Sequence, residues 1–183
     1  MLEGVALLLL ALSALLFQRS ATAPWVEARG ADSRRIQVSP IGLIDFGLGT
    51  SGTAPTQCRW WPKLGSEELC AQAPGGARAM TSLRRVYPLV VIALWTAVLA
   101  IFLTALRIPH VPRAAGVAVA ATLPILAMFA MRGVWVSSSE ALAVLAGLPL
   151  HPLAAGFGSV VAAAVCSAAA TVLLILSGRL RRV

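Results

Sequence analysis

The residues of this chain suited to chemistry or recognition are few: two histidines, three cysteines, a serine run beside a glutamate, and a pair of tryptophans. His110 and His151, as a pair, have the chemistry of axial haem ligands. Their positions along the chain put them at opposite ends of membrane-crossing segments, about a bilayer apart, so they cannot share one iron. Each stands beside prolines in a turn. Ser137, Ser138 and Ser139 precede Glu140, with His151 further on, which supplies the side-chain types of a hydrolytic triad. Triads are defined by spatial roles and not by nearness in sequence, and a serine three residues before a glutamate is also the spacing of a helix capping box. Capping is the preferred reading. Catalytic, cofactor and metal residues are therefore expected to be none, and the chain is expected not to be an enzyme.

Cys58 and Cys70 lie in one long polar segment, whereas Cys166 lies inside an apolar run. Two cysteines close together outside the membrane fit a disulfide in an oxidising space. Neither belongs to a Cys-x-x-Cys pair, which argues against thiol redox chemistry. Cys166 reads as a small packing residue. Trp60 and Trp61 follow Cys58 closely and are candidate anchors for a partner interface, a role for which tryptophan is enriched; an interfacial belt residue is an equally good account.

The elements that must position these residues follow from composition. Of 183 residues, 58% are hydrophobic and 12% charged, and the mean hydropathy is +0.84. A soluble domain carries roughly a quarter of its residues as charges, so lipid must cover much of this surface. The net charge of +8 rests on arginine, with a single lysine, Lys63, and no asparagine. Such a bias suggests a GC-rich, bacterial coding sequence. The arginines are scattered along membrane flanks and one loop, without the clustered basic face that successive phosphates require, so nucleic acid is not expected as a partner.

Three segments, 87–106, 114–131 and 153–176, meet the length of about 20 apolar residues needed to cross a bilayer. None contains a charged residue. The N-terminal apolar stretch has two readings. It resembles a signal peptide, with Ala21-Thr22-Ala23 imitating a cleavage site. It also fits a retained helix over 2–21, an uncleaved signal anchor, with Arg19 snorkelling and Trp25 at headgroup level. Glu3 at the start and Pro24 just after the cleavage position favour the retained helix.

Arg107 and Arg113 flank the connection between the second and third crossings, and Arg179, Arg181 and Arg182 follow the fourth. The positive-inside rule makes that side cytoplasmic, with both termini inside. Arg84 and Arg85 oppose this, but they end a segment of about 60 residues, a length at which the rule weakens. The segment 25–85 is then outside, as the cysteine pair independently requires. Alternation in 34–38, β-prone residues in 41–46 and 57–61, and glycine- and proline-rich turns between them predict an antiparallel sheet, stapled by Cys58–Cys70. Such a bridge contributes roughly 2–4 kcal/mol. The second outer segment, 133–152, is expected to hold a short interfacial helix. The fold class expected is a membrane all-α four-helix bundle with a small extracytoplasmic antiparallel β-sheet domain.

Within the spans, Ala114/Ala118, Gly116/Ala120, Gly158/Ala162 and Ala162/Cys166 place small residues four apart, which lets helix backbones approach in lipid. Gly116, Ala120, Gly158 and Ala162 are the expected packing residues. No ionisable residue stands within the last three spans, where proton and ion pathways normally have one.

Four helices, both ends inside, a long first outer segment with two cysteines and a short second one resemble the claudin and peripheral-myelin-protein superfamily. Pro24-Trp25 resembles the tryptophan after that family's first helix, Gly47-Leu48 the start of its Gly-Leu-Trp motif, and Cys58 and Cys70 its paired cysteines. Ala77-Arg78-Ala79 is similar to the approach to its second helix. Gly49 replaces the motif's tryptophan, and Cys58 comes several residues late. The resemblance implies lateral self-assembly, cell–cell or paracellular contact, or service as an auxiliary subunit.

The expected function is that of a non-enzymatic accessory, scaffold or assembly subunit in a bacterial cytoplasmic membrane. Its partners would be the bilayer and other membrane subunits or its own copies, and no cofactor is expected. An oligomeric channel or carrier, and a cofactor-binding redox subunit, are the alternatives.

Overall fold

The computed structural model describes residues 1–29, 35–45, 56–59, 86–106, 113–146, 150–151 and 155–180. Four helices carry most of them: α1 (Leu2–Thr22), α2 (Val86–Ala105), α3 (Arg113–Ala146) and α4 (Ala155–Leu180). Each contains a stretch long and apolar enough to cross a membrane: Leu2–Thr22, Val86–Ala105, Ala114–Gly133 and Ala155–Gly178. The chain is a multi-pass integral membrane protein.

Hydrocarbon offers the backbone no hydrogen-bond partner, so a spanning segment must satisfy its own amides, and the helix does so. The helix ends follow local chemistry. Pro24 disfavours helical geometry in the residue before it, and α1 stops at Thr22. Pro88 lies in the first turn of α2, where a missing N–H costs nothing to the helix. Pro124 lies inside α3 and removes one backbone bond, to the carbonyl of Ala120.

One helix exceeds expectation. The second outer segment was expected to hold a separate short helix, but α3 runs unbroken through 34 residues to Ala146. Arg132 and Gly133 do not interrupt it, because each further residue adds a backbone bond once a helix is nucleated. Gly147 and Pro149, common terminators, follow its end in the sequence. At 1.5 Å per residue it is about 51 Å long, well beyond the roughly 30 Å of a hydrocarbon core.

The chain divides into two compact units. The first comprises Met1–Arg19, Leu89–Phe129 and Ser159–Val183. Its buried positions recur at alternating intervals of three and four: Ala6, Leu10, Ser13 and Phe17 on α1; Val90, Ala93, Ala97 and Ala100 on α2; Gly116, Ala120, Leu123 and Ala127 on α3; Ala163, Ser167, Ala170, Leu174 and Ser177 on α4. That spacing is the heptad pattern by which helices interlock at shallow angles. Most of these residues are small. Many of the large apolar ones point outward, among them Leu8, Leu15, Ile92, Trp95, Phe102, Ile125, Met128 and Phe129. In water this arrangement would be inside out. In lipid, where tails are as apolar as leucine, close packing and not hydrophobicity selects what goes inside.

The second unit comprises Ser20–Pro88 and Ala130–Gly158. It contains short backbone ladders: β1 (Val26–Arg29), β2 (Arg35–Ser39), β3 (Gly42–Asp45), β4 (Thr56–Arg59) and β5 (Leu150–His151). All pair antiparallel, in the order β4-β3-β2-β1-β5. Val26 lies opposite Val38, Val38 opposite Leu43, and Leu43 opposite Cys58.

These ladders do not make the expected β-sheet domain, and that part of the fold class is corrected. Most of the described residues are helical, and the short pairings do not stand as an element of the fold. The pairings are runs of two to five residues, and they share their unit with the ends of the helices. A sheet of its own needs longer strands than these to be stable by itself. The fold class is a bundle of four apolar helices.

Candidate functional site

Trp60, Trp61, Cys70 and His110 lie outside the described residues. Cys58 is described only in its backbone, within β4, so the expected Cys58–Cys70 bridge also lies outside. Ser137, Ser138, Ser139 and Glu140 fall within α3. His151 pairs along the backbone with Glu27, which joins the second connection to the first. Among the described residues no three of His, Cys, Asp or Glu come together as a metal site. Cys166 is a free thiol, half-buried on α4.

What the helices do bring together is a set of close approaches. Gly116 faces α2: a Cβ built there would lie 3.0 Å from Thr104 Oγ1 and 3.7 Å from the Leu103 Cβ. Ala120, one turn on, is fully buried. Between α1 and α4 the Ser13 hydroxyl donates to the Ala163 carbonyl at 3.0 Å, in a buried setting. Ser167 donates to the Ala164 carbonyl and Ser177 to that of Leu174, each within its own helix. Thr96 and Thr122 likewise donate to the carbonyls of Ile92 and Val119, so neither presents an unused O–H to lipid.

The Gly158/Ala162 pair is placed differently from Gly116/Ala120. Gly158 is exposed, and a Cβ there would meet nothing within 4 Å. Ala162 is half-buried.

Among the described residues of the second unit the tightest approach is between Gly156 and the segment Ala23 to Trp25. Trp25 is 1% exposed. Its indole N–H donates to the Ser20 carbonyl at 2.7 Å, capping one of the carbonyls a helix end leaves unbonded. Its ring meets that of Phe157 edge-on, with centroids 6.3 Å apart and planes at 78°, a preferred aromatic geometry. Gly156 is the pivot. Its N–H donates to the Pro24 carbonyl at 2.7 Å, satisfying an orphan donor in the first turn of α4. A Cβ on Gly156 would fall 2.5 Å from Trp25 Cδ1, 2.7 Å from the Ala23 oxygen and 2.8 Å from the Pro24 oxygen. Only glycine allows the backbone that close. The sequence carried a hint: two glycines in Ala155-Gly156-Phe157-Gly158 weaken a helix start and need a reason such as close approach.

The arrangement is one of packing and docking contacts, with no described group poised over a reactive partner. No protein-family model matches this chain, and comparison with curated proteins finds no relative.

Proposed function

We propose that this chain is a non-enzymatic tetraspan subunit that helps assemble or hold a larger membrane complex, meeting its partner through the connections that join α1 to α2 and α3 to α4. The observation that carries this reading is the joining of those two connections. The Glu27–His151 ladder and the Gly156–Pro24 bond tie the first connection to the segment entering α4. Two connections held to each other at two points suit a fixed binding surface. The spans themselves are packed mostly on small residues, which favours a structural role over a conduit.

On this reading both chain ends are cytoplasmic, the connections lie outside, and the membrane is the cytoplasmic membrane of a bacterium. The claudin-like plan of helices and cysteines adds lateral self-assembly as one mode of contact. Purification of the intact protein in mild detergent tests the proposal. The expected result is a stoichiometric companion, another membrane protein or a further copy, and a monomer with no companion overturns it.

A further inference from the structure

Trp95 is out of place for a tryptophan facing lipid. It is the tenth of the twenty residues of α2, about 14–15 Å from either end of that helix, which sets it at mid-depth in the hydrocarbon. Tryptophan belongs at the membrane interfaces, where its N–H reaches water or headgroups. Yet Trp95 points outward with 66% of its surface exposed, and its indole N–H has no hydrogen-bond partner among the described residues. Lipid tails carry no acceptor. A buried indole N–H usually finds one.

The residues around it form a seam. Ile92, Trp95, Leu99 and Phe102, with Leu106 just past the helix end, are all exposed, and their intervals of three and four residues give a continuous heptad stripe along the outer face of α2. This is the same spacing that closes the bundle on its inner face, here written in large side chains. Beside Trp95, and at the same depth, stands Thr96. Its hydroxyl hydrogen is committed to the Ile92 carbonyl at 2.7 Å, which leaves the oxygen's lone pairs free to accept.

We propose that this outer face of α2 is the seam of a homodimer within the bilayer, in which Trp95 of each copy donates its indole N–H to Thr96 Oγ1 of the other. A two-fold axis along the membrane normal brings equal depths of two copies together, and its interface is self-complementary. It therefore pairs this donor with this acceptor twice, and the heptad stripe with itself. The occupant is a second copy because the acceptor that Trp95 lacks is present on the same helix at the matching level. The inference deepens the assembly reading by naming one of its contacts.

Donor- and acceptor-labelled full-length chains, reconstituted together in phospholipid vesicles, test it through energy transfer followed against the protein-to-lipid ratio. Transfer above the random level, rising with that ratio, is expected. Trp95→Ala should weaken association by about tenfold or more, since it removes both ring and donor at the centre of an interface. Trp95→Phe and Thr96→Val should each weaken it by about threefold, the scale of one hydrogen bond between membrane helices. The double variant should do no worse than either single one, because both remove the same bond. Trp95 is exposed, so far-ultraviolet dichroism should show the variants folded. Transfer at the random level overturns the proposal, as does a dimer indifferent to Trp95→Ala, and additive losses overturn the Trp95–Thr96 bond. If transfer is random while a different protein still co-purifies, the seam falls and the assembly reading stands.

Discussion

Two cores in one chain are built on opposite rules. In the unit of 1–19, 89–129 and 159–183, the buried positions are mostly alanine, serine and glycine, with a few larger residues such as Leu10, Phe17, Val90, Leu123, Val160 and Leu174. In the other unit the buried set includes the largest side chain of all, Trp25, held by a hydrogen bond, a ring contact and the missing Cβ of Gly156. Water drives large apolar groups inward at about 25 cal/mol per Å² buried. Lipid exerts no such drive, so size stops predicting burial, and what remains is how closely two backbones approach.

The contrast can be broken most sharply at Gly156. Two of the three atoms that a Cβ would strike there are backbone oxygens, which cannot rotate aside. Gly156→Ala should therefore destabilise the protein by about 3 kcal/mol, the upper part of the range for overpacking, read as a fall in the unfolding midpoint in mild detergent. An unchanged midpoint would mean that α4 does not dock on Ala23 to Trp25. Trp25→Phe should cost less, about 1–3 kcal/mol, since it keeps most of the ring but leaves the Ser20 carbonyl without its donor. If Phe at this position matched the wild type, the hydrogen bond would have no part in holding the tryptophan inside.

The span core should respond more mildly. Ser13→Ala removes the bond to the Ala163 carbonyl and nothing else of size. Bonds between membrane helices average about 0.6 kcal/mol, and that is the loss expected in the same unfolding assay. A loss several times larger would show that the buried serines act as a network and not as separate contacts.

The sequence revealed the spans because twenty uncharged apolar residues in a row have one stable solution in a cell. It revealed the inner seam partly: the small-residue pair Gly116 and Ala120 is buried, but the same spacing at Gly158 and Ala162 is not on the closed face. Four-residue spacing says that two small residues share a side of a helix, and says nothing about which side. With the outward residues as apolar as the inward ones, no amphipathic contrast marks the core. The burial of Trp25 was not legible for a related reason: only the glycine at position 156, more than a hundred residues away, makes room for it. The continuation of α3 to Ala146 was hidden by Arg132 and Gly133, which read as a boundary because a charge ends an apolar run even where it does not end a helix. The β-prone stretches were legible as extended backbone, but alternation over four or five residues does not by itself make a domain.

The smallest effect is expected two residues from the largest. Gly158 lies on the same helix as Gly156, but a Cβ there meets open space, and the residue faces outward. Glycine within a helix is less favourable than alanine by about 0.5–1 kcal/mol. Gly158→Ala should therefore leave stability unchanged or raise it by up to about that amount. Because Gly156→Ala and Gly158→Ala add the same methyl group to the same turn of helix, propensity largely cancels between them. The difference between their unfolding midpoints then reports the close approach to Trp25 alone. If the two substitutions proved equally harmful, the outward face at Gly158 would have to be covered in the folded protein, and the division between a docked and an open side of α4 would fail.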